Sequence, residues 1–166
     1  MEDGGWRSLR WRLSLLMFLY YAIQGAFVPL FSLRLQELGL TPLEMGWACA
    51  TQALAALVAP LVAGQIADRW LPAERCLAIC AVLSGTLLWV LADLESPSAI
   101  FTGSLALWLV LGPASTLSTA LSFAHLPEQG RHFGQIRLWG TIGWATSGWL
   151  VGFWPASRTC WPGYPR

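Results

Sequence analysis

Five apolar runs dominate this chain, at about residues 13–32, 43–66, 76–92, 98–123 and 136–154. Each is close to or longer than the ~20 residues that cross a bilayer as helix. Hydrocarbon offers no water to backbone N–H and C=O groups, so only helices and closed barrels span it. Runs of this length exceed the strands of a barrel. The sequence therefore specifies an all-α membrane protein of about five transmembrane helices. Composition agrees: 55% of residues are hydrophobic, 11% are charged, and mean hydropathy is +0.53.

The same composition excludes several functions. A net charge of +1 with scattered basic residues makes no case for nucleic-acid binding. All ten basic residues are arginine, so no lysine can act as a base or Schiff-base former. His125 and His132 both fall in one loop, and no acidic residue lies deep in any span. No acid–base pair or metal site can be assembled from these, and no cofactor is expected. Cys49, Cys76, Cys80 and Cys160 follow no disulfide or metal spacing and read as packing residues. The chain is not expected to be an enzyme.

Loops and caps divide the spans. Residues 1–12 carry Arg7, Arg10 and Arg12 and precede a run too long for a signal peptide, with no small-x-small cleavage site. Thr41-Pro42-Leu43-Glu44 is a helix start, with Thr41 as N-cap and Glu44 three residues on. Gly112-Pro113 is expected to kink the fourth span. Alternating the loops sets arginines 7, 10, 12, 69, 75, 131 and 137 against 34, 158 and 166. That bias favours a cytoplasmic N-terminus, and five spans then place the C-terminus outside. Residues 155–166 hold three prolines and read as an irregular tail, a stray end of the kind truncation or a shifted frame leaves.

Several constellations carry functional possibilities. Arg137, Thr141 and Trp144 recur at i, i+4 and i+7, so a charge, a hydroxyl and an indole share one helical stripe. Arg137 either anchors the helix end by snorkelling or faces an interior cavity. Tyr20, Gln24 and Phe27 form a similar stripe in the first span, where the Gln24 amide requires a partner. Ser115, Ser118, Thr119 and Ser122 line one face of the fourth span and read first as packing or backbone-bonded hydroxyls, second as a polar path. Gly148 and Gly152 offer a G-x-x-x-G contact face.

The loop after the second span reads Gly64-Gln65-Ile66-Ala67-Asp68-Arg69, then Glu74-Arg75. It resembles the signature loop of the major facilitator superfamily, glycine-x-x-x-aspartate-arginine with a further basic residue, at the place where that family carries it. The family's usual later glycine is replaced by Leu71-Pro72-Ala73-Glu74. Within the superfamily the chain resembles the nucleoside:proton symporters. Ala67–Leu71, Leu77–Cys80 and above all Ile136-Arg137-Leu138-Trp139-Gly140-Thr141-Ile142-Gly143 carry that likeness, which covers residues 13–154.

The resemblance implies most of the N-terminal six-helix half of a twelve-helix carrier that rocks two halves about a midplane site. It further implies nucleoside contacts at Arg137, Thr141 and Trp144, to which the intramembrane Gln24 is added, and a signature loop of Gly64, Asp68, Arg69 and Arg75. A nucleoside substrate with proton coupling, the lipid bilayer as surroundings and a bacterial cytoplasmic membrane follow from it. The chain is expected to be a truncated N-terminal portion, not competent for transport alone. The alternatives are a non-transporting helical scaffold associating with other membrane helices, and a major facilitator carrier of another small organic solute.

Overall fold

The computed structural model describes residues 3–69, 72–125 and 133–158, with backbone alone for 3–7, 59–60, 62–69 and 154–158. Five helices account for nearly all of them: α1 (Asp3–Glu37), α2 (Pro42–Arg69), α3 (Ala73–Asp93), α4 (Pro97–Ala124) and α5 (Phe133–Arg158). Each contains one of the expected spans and outruns it. Hydropathy marks the apolar part of a helix, whereas the hydrogen-bonded ladder continues into the flanking polar turns. Ser8–Glu37, Ala73–Asp93 and Pro97–Ala124 are long and apolar enough to cross a membrane.

Two ends show why the helices stop where they do. α1 closes at Gly39, whose φ of +71° is the left-handed conformation glycine adopts without strain. Its N–H reaches the Gln36 carbonyl at 3.0 Å and the Leu40 N–H reaches Leu35 at 3.3 Å, closing the last turn. α2 then begins with the expected reciprocal cap. The Thr41 N–H donates to Glu44 Oε2 at 2.8 Å, and the Glu44 N–H donates to Thr41 Oγ1 at 3.4 Å. Ser96 caps α4 through the Ala99 N–H at 3.4 Å, with Pro97 filling the first helical position.

One correction concerns the tail. Residues 155–158, expected to be irregular, continue α5 through Pro155. An internal proline removes one hydrogen bond and crowds the preceding turn, which weakens a helix without obliging it to end. Residues 159–166 lie outside the described residues.

The helices form two compact groups. In one, α4 packs against both α2 and α3, while α2 and α3 scarcely touch. Small buried residues let the axes approach: Ala48, Thr51 and Ala55 of α2, and Ser104, Ala114, Ser118 and Ser122 of α4. An added Cβ at Gly103 would lie 3.1 Å from the Cδ1 tips of Leu91 in α3 and Leu94 just past its end, so α4 also packs closely there. The α4 hydroxyls turn onto their own helix. Ser115 donates to the Gly112 carbonyl at 2.7 Å, Ser118 and Thr119 to Ser115 at 2.9 Å, and Ser122 to Ser118 at 2.8 Å. The packing reading of that serine face is the one realised, since each proton is already used.

The other group pairs α1 with α5. Leu13, Met17 and Ile136 form its buried apolar cluster, flanked by Leu9, Tyr21 and Phe133. Trp139 meets Trp11 and Phe18 edge-on, with centroids 6.0 and 6.5 Å apart. Glycines set the spacing. A Cβ at Gly143 would collide with the Phe18 carbonyl, and one at Gly25 would lie 2.8 Å from the Trp144 Cα. Gly148 also faces α1, where a Cβ would stand 3.3 Å from the Gly25 carbonyl oxygen. Pro29 lacks the N–H that would otherwise bond that oxygen. Nothing described lies within 4 Å of a Cβ at Gly152, so the expected G-x-x-x-G face is half used. The glycines of α5 that meet α1 are 140, 143 and 148, opposite Tyr21, Phe18 and Gly25.

Many large apolar side chains point outward, among them Leu57, Leu61, Val82, Trp89, Trp149 and Leu150. Water would penalise such a surface, whereas lipid or neighbouring membrane helices match it. This is an integral membrane protein.

A candidate substrate cavity between the first and fifth helices

Close approach at Gly25 and Gly143 leaves a hollow beside it. A cavity of about 280 Å³ opens between α1 and α5, lined by Tyr21, Gln24, Arg137, Thr141 and Trp144. All four residues expected to touch substrate therefore converge on one space. Arg137 is exposed to it, one turn into α5. Thr141 and Trp144 follow on the same stripe, as the helical spacing requires. The glycine contact at Gly25 presses directly on the Trp144 backbone, which fixes where the indole leaves the helix.

Each polar group has a defined setting. Gln24 Nε2 donates to the Tyr20 hydroxyl at 2.8 Å, a bond along α1 itself. The partner that Gln24 requires is thus Tyr20 of its own helix, while Phe27 stacks on Phe31 at 5.1 Å and is not among the lining residues. Arg137 crosses between helices. Its Nη1 donates to the Tyr21 hydroxyl, and its guanidinium carbon sits 5.0 Å from the centre of the Tyr21 ring. The five lining residues supply one cation, an amide, two hydroxyls and two aromatic faces, with no carboxylate. That set suits a neutral, hydroxyl- and carbonyl-rich ligand with a flat ring, because guanidinium and amide donate hydrogen bonds and indole or phenol stacks.

Tyr21 is the lining residue that sequence reasoning passed over. The signal was present: Tyr21 and Gln24 stand at i and i+3, and Tyr21 precedes Gly25 by one turn. Choosing Tyr20 instead put the stripe one residue off. Gly64, Asp68 and Arg69 fall in the last turns of α2, where backbone alone is described, and Arg75 is exposed in the first turn of α3. Among the described residues no cluster of three metal-ligating side chains occurs.

Apolar helices around a polar cavity define a helical integral membrane protein with a ligand-sized hollow. Comparison with known proteins supplies the family. Residues 7–160 match the nucleoside H+ symporter family, and the chain belongs to it. It is 37% identical over 145 residues to the Escherichia coli protein named nucleoside transporter YegT, covering 87% of this chain and 34% of that protein. The E. coli xanthosine permease is 31% identical over 155 residues, covering 90% and 36%. The crystal structure of the nucleoside transporter NupG superposes with a TM-score of 0.82 at 28% identity, over 87% of this chain and 37% of that one. The fold is thus that of the N-terminal part of a major facilitator carrier. The chain spans about a third of the length of the curated relatives it matches.

Proposed function

We propose that this chain forms one wall of a nucleoside:proton symporter and that the α1–α5 cavity holds the nucleoside. The observation that carries this reading is the convergence of Arg137, Thr141, Trp144 and Gln24 on one space. Arg137 and Gln24 donate hydrogen bonds to ribose hydroxyls or base carbonyls, Thr141 adds an adjustable hydroxyl, and Trp144 stacks on the base. The lining supplies no carboxylate, so proton coupling falls to a group elsewhere in the transporter. Gly64, Asp68, Arg69 and Arg75 act as the signature loop that governs rocking. The arginine bias supports a cytoplasmic N-terminus in a bacterial cytoplasmic membrane.

A site of this kind is closed by helices on its far side, so these five helices alone bind weakly and do not transport. The test is a chimera in which residues 7–160 replace the matching third of NupG, expressed in cells stripped of nucleoside uptake. Saturable, proton-dependent uridine uptake supports the reading. A chimera that reaches the membrane and moves no nucleoside contradicts it. Saturable uridine uptake by the 166-residue chain expressed alone contradicts the dependence on further helices.

A further inference from the structure

We infer that Tyr21 is a positioning residue that holds the Arg137 guanidinium in the cavity, with Gly140 providing the space its ring needs. This rests on the reading of the cavity as a substrate site, but its own observations are separate. Tyr21 contacts Arg137 in two ways, accepting a hydrogen bond at its hydroxyl and offering its ring face at 5.0 Å. The two contacts fix different degrees of freedom. A hydrogen bond to one Nη sets where the fork ends, and a ring under the carbon limits how its plane tilts.

Gly140 completes the arrangement from α5. A Cβ there would stand 2.6 Å from Tyr21 Cδ2 and 3.1 Å from Cε2, so the ring lies directly on the glycine. Gly140 is thus the floor beneath the phenol, three residues after the arginine it helps to aim. The long, flexible Arg137 side chain would otherwise reach outward toward the interface, as arginines near helix ends do. Tyr21 converts an end anchor into a pocket residue. Bringing a prepaid orientation to the ligand lowers the ordering cost of binding, so its loss weakens affinity before it affects turnover.

The test uses the full chain in lipid nanodiscs, with phenylglyoxal modification of Arg137 read by mass spectrometry. Tyr21→Phe keeps the ring and removes the hydroxyl; it raises the modification rate about 3-fold. Tyr21→Leu removes both contacts and raises it about 10-fold. Arg34 and Arg75 serve as controls and stay constant. Gly140→Ala mimics Tyr21→Leu in the native background but adds nothing in a Tyr21→Ala background, where no ring remains to displace. Unchanged Arg137 reactivity in both Tyr21→Leu and Gly140→Ala overturns the inference.

In the NupG chimera, Tyr21→Phe raises the KM for uridine several-fold and leaves maximal uptake unchanged. If Arg137→Ala also leaves uptake intact, the substrate site itself is misplaced. If Arg137→Ala abolishes uptake while Tyr21→Phe has no effect on KM, only the role of Tyr21 fails.

Discussion

The serine face of α4 and the cavity-lining face of α5 use their polar residues in opposite ways. In α4, Ser115, Ser118, Thr119 and Ser122 each return a proton to a carbonyl of their own helix, three or four residues back. Their polarity is consumed locally, and what the helix presents to α2 and α3 is small size. Between α1 and α5, the small residues are glycines, and polar groups reach across or into open space: Arg137 to Tyr21, and Thr141 and Gln24 into the cavity. Tight packing without leftover hydrogen-bonding capacity makes a support. Tight packing next to polar groups that face a cavity makes a site.

The sharpest way to break this contrast is at Gly143. Its missing Cβ faces the Phe18 carbonyl, which is backbone and has little room to give. Gly143→Leu should cost about 3 kcal/mol or more by overpacking, read as loss of the folded α1–α5 pair in detergent unfolding. Next in size is Arg137→Ala, which should lower nucleoside uptake by the chimera about 10-fold or more while membrane abundance stays constant. Ser118→Ala should be far milder, because the Ser115 carbonyl keeps its helical partner. A stability loss under about 1 kcal/mol with unchanged uptake is expected. The smallest effect belongs to Gly152→Ala, where the added methyl meets nothing described and unfolding should not move measurably. A Ser118→Ala loss as large as that of Arg137→Ala would erase the distinction between support and site.

Much of this was legible in the sequence because the bilayer simplifies the problem. Length and hydropathy alone located all five helices, and Thr41 with Glu44 announced a cap that the structure contains. The stripe of Arg137, Thr141 and Trp144 was readable because helical periodicity ties spacing to direction within one element. Spacing with Gln24 could have pointed to Tyr21, but its pairing with Arg137 could not be read, since it depends on which face of α1 meets α5, the face marked by the close approaches at Gly25, Gly140 and Gly143. Gly152 was misjudged for the same reason: a G-x-x-x-G spacing states that two glycines share a face, not that a partner covers both. The tail beyond Trp154 was read from its prolines, and Pro155 proved compatible with the end of a helix.

The claim that the α1–α5 cavity receives the nucleoside is tested most directly at Thr141. In the NupG chimera with every other cysteine replaced by serine, Thr141→Cys should react with a small, water-soluble thiol reagent and lose uptake. Saturating uridine should slow that reaction about 10-fold, because a ligand filling a cavity of 280 Å³ excludes the reagent. Labelling at an unchanged rate in saturating uridine, in a chimera that transports uridine, would contradict the account.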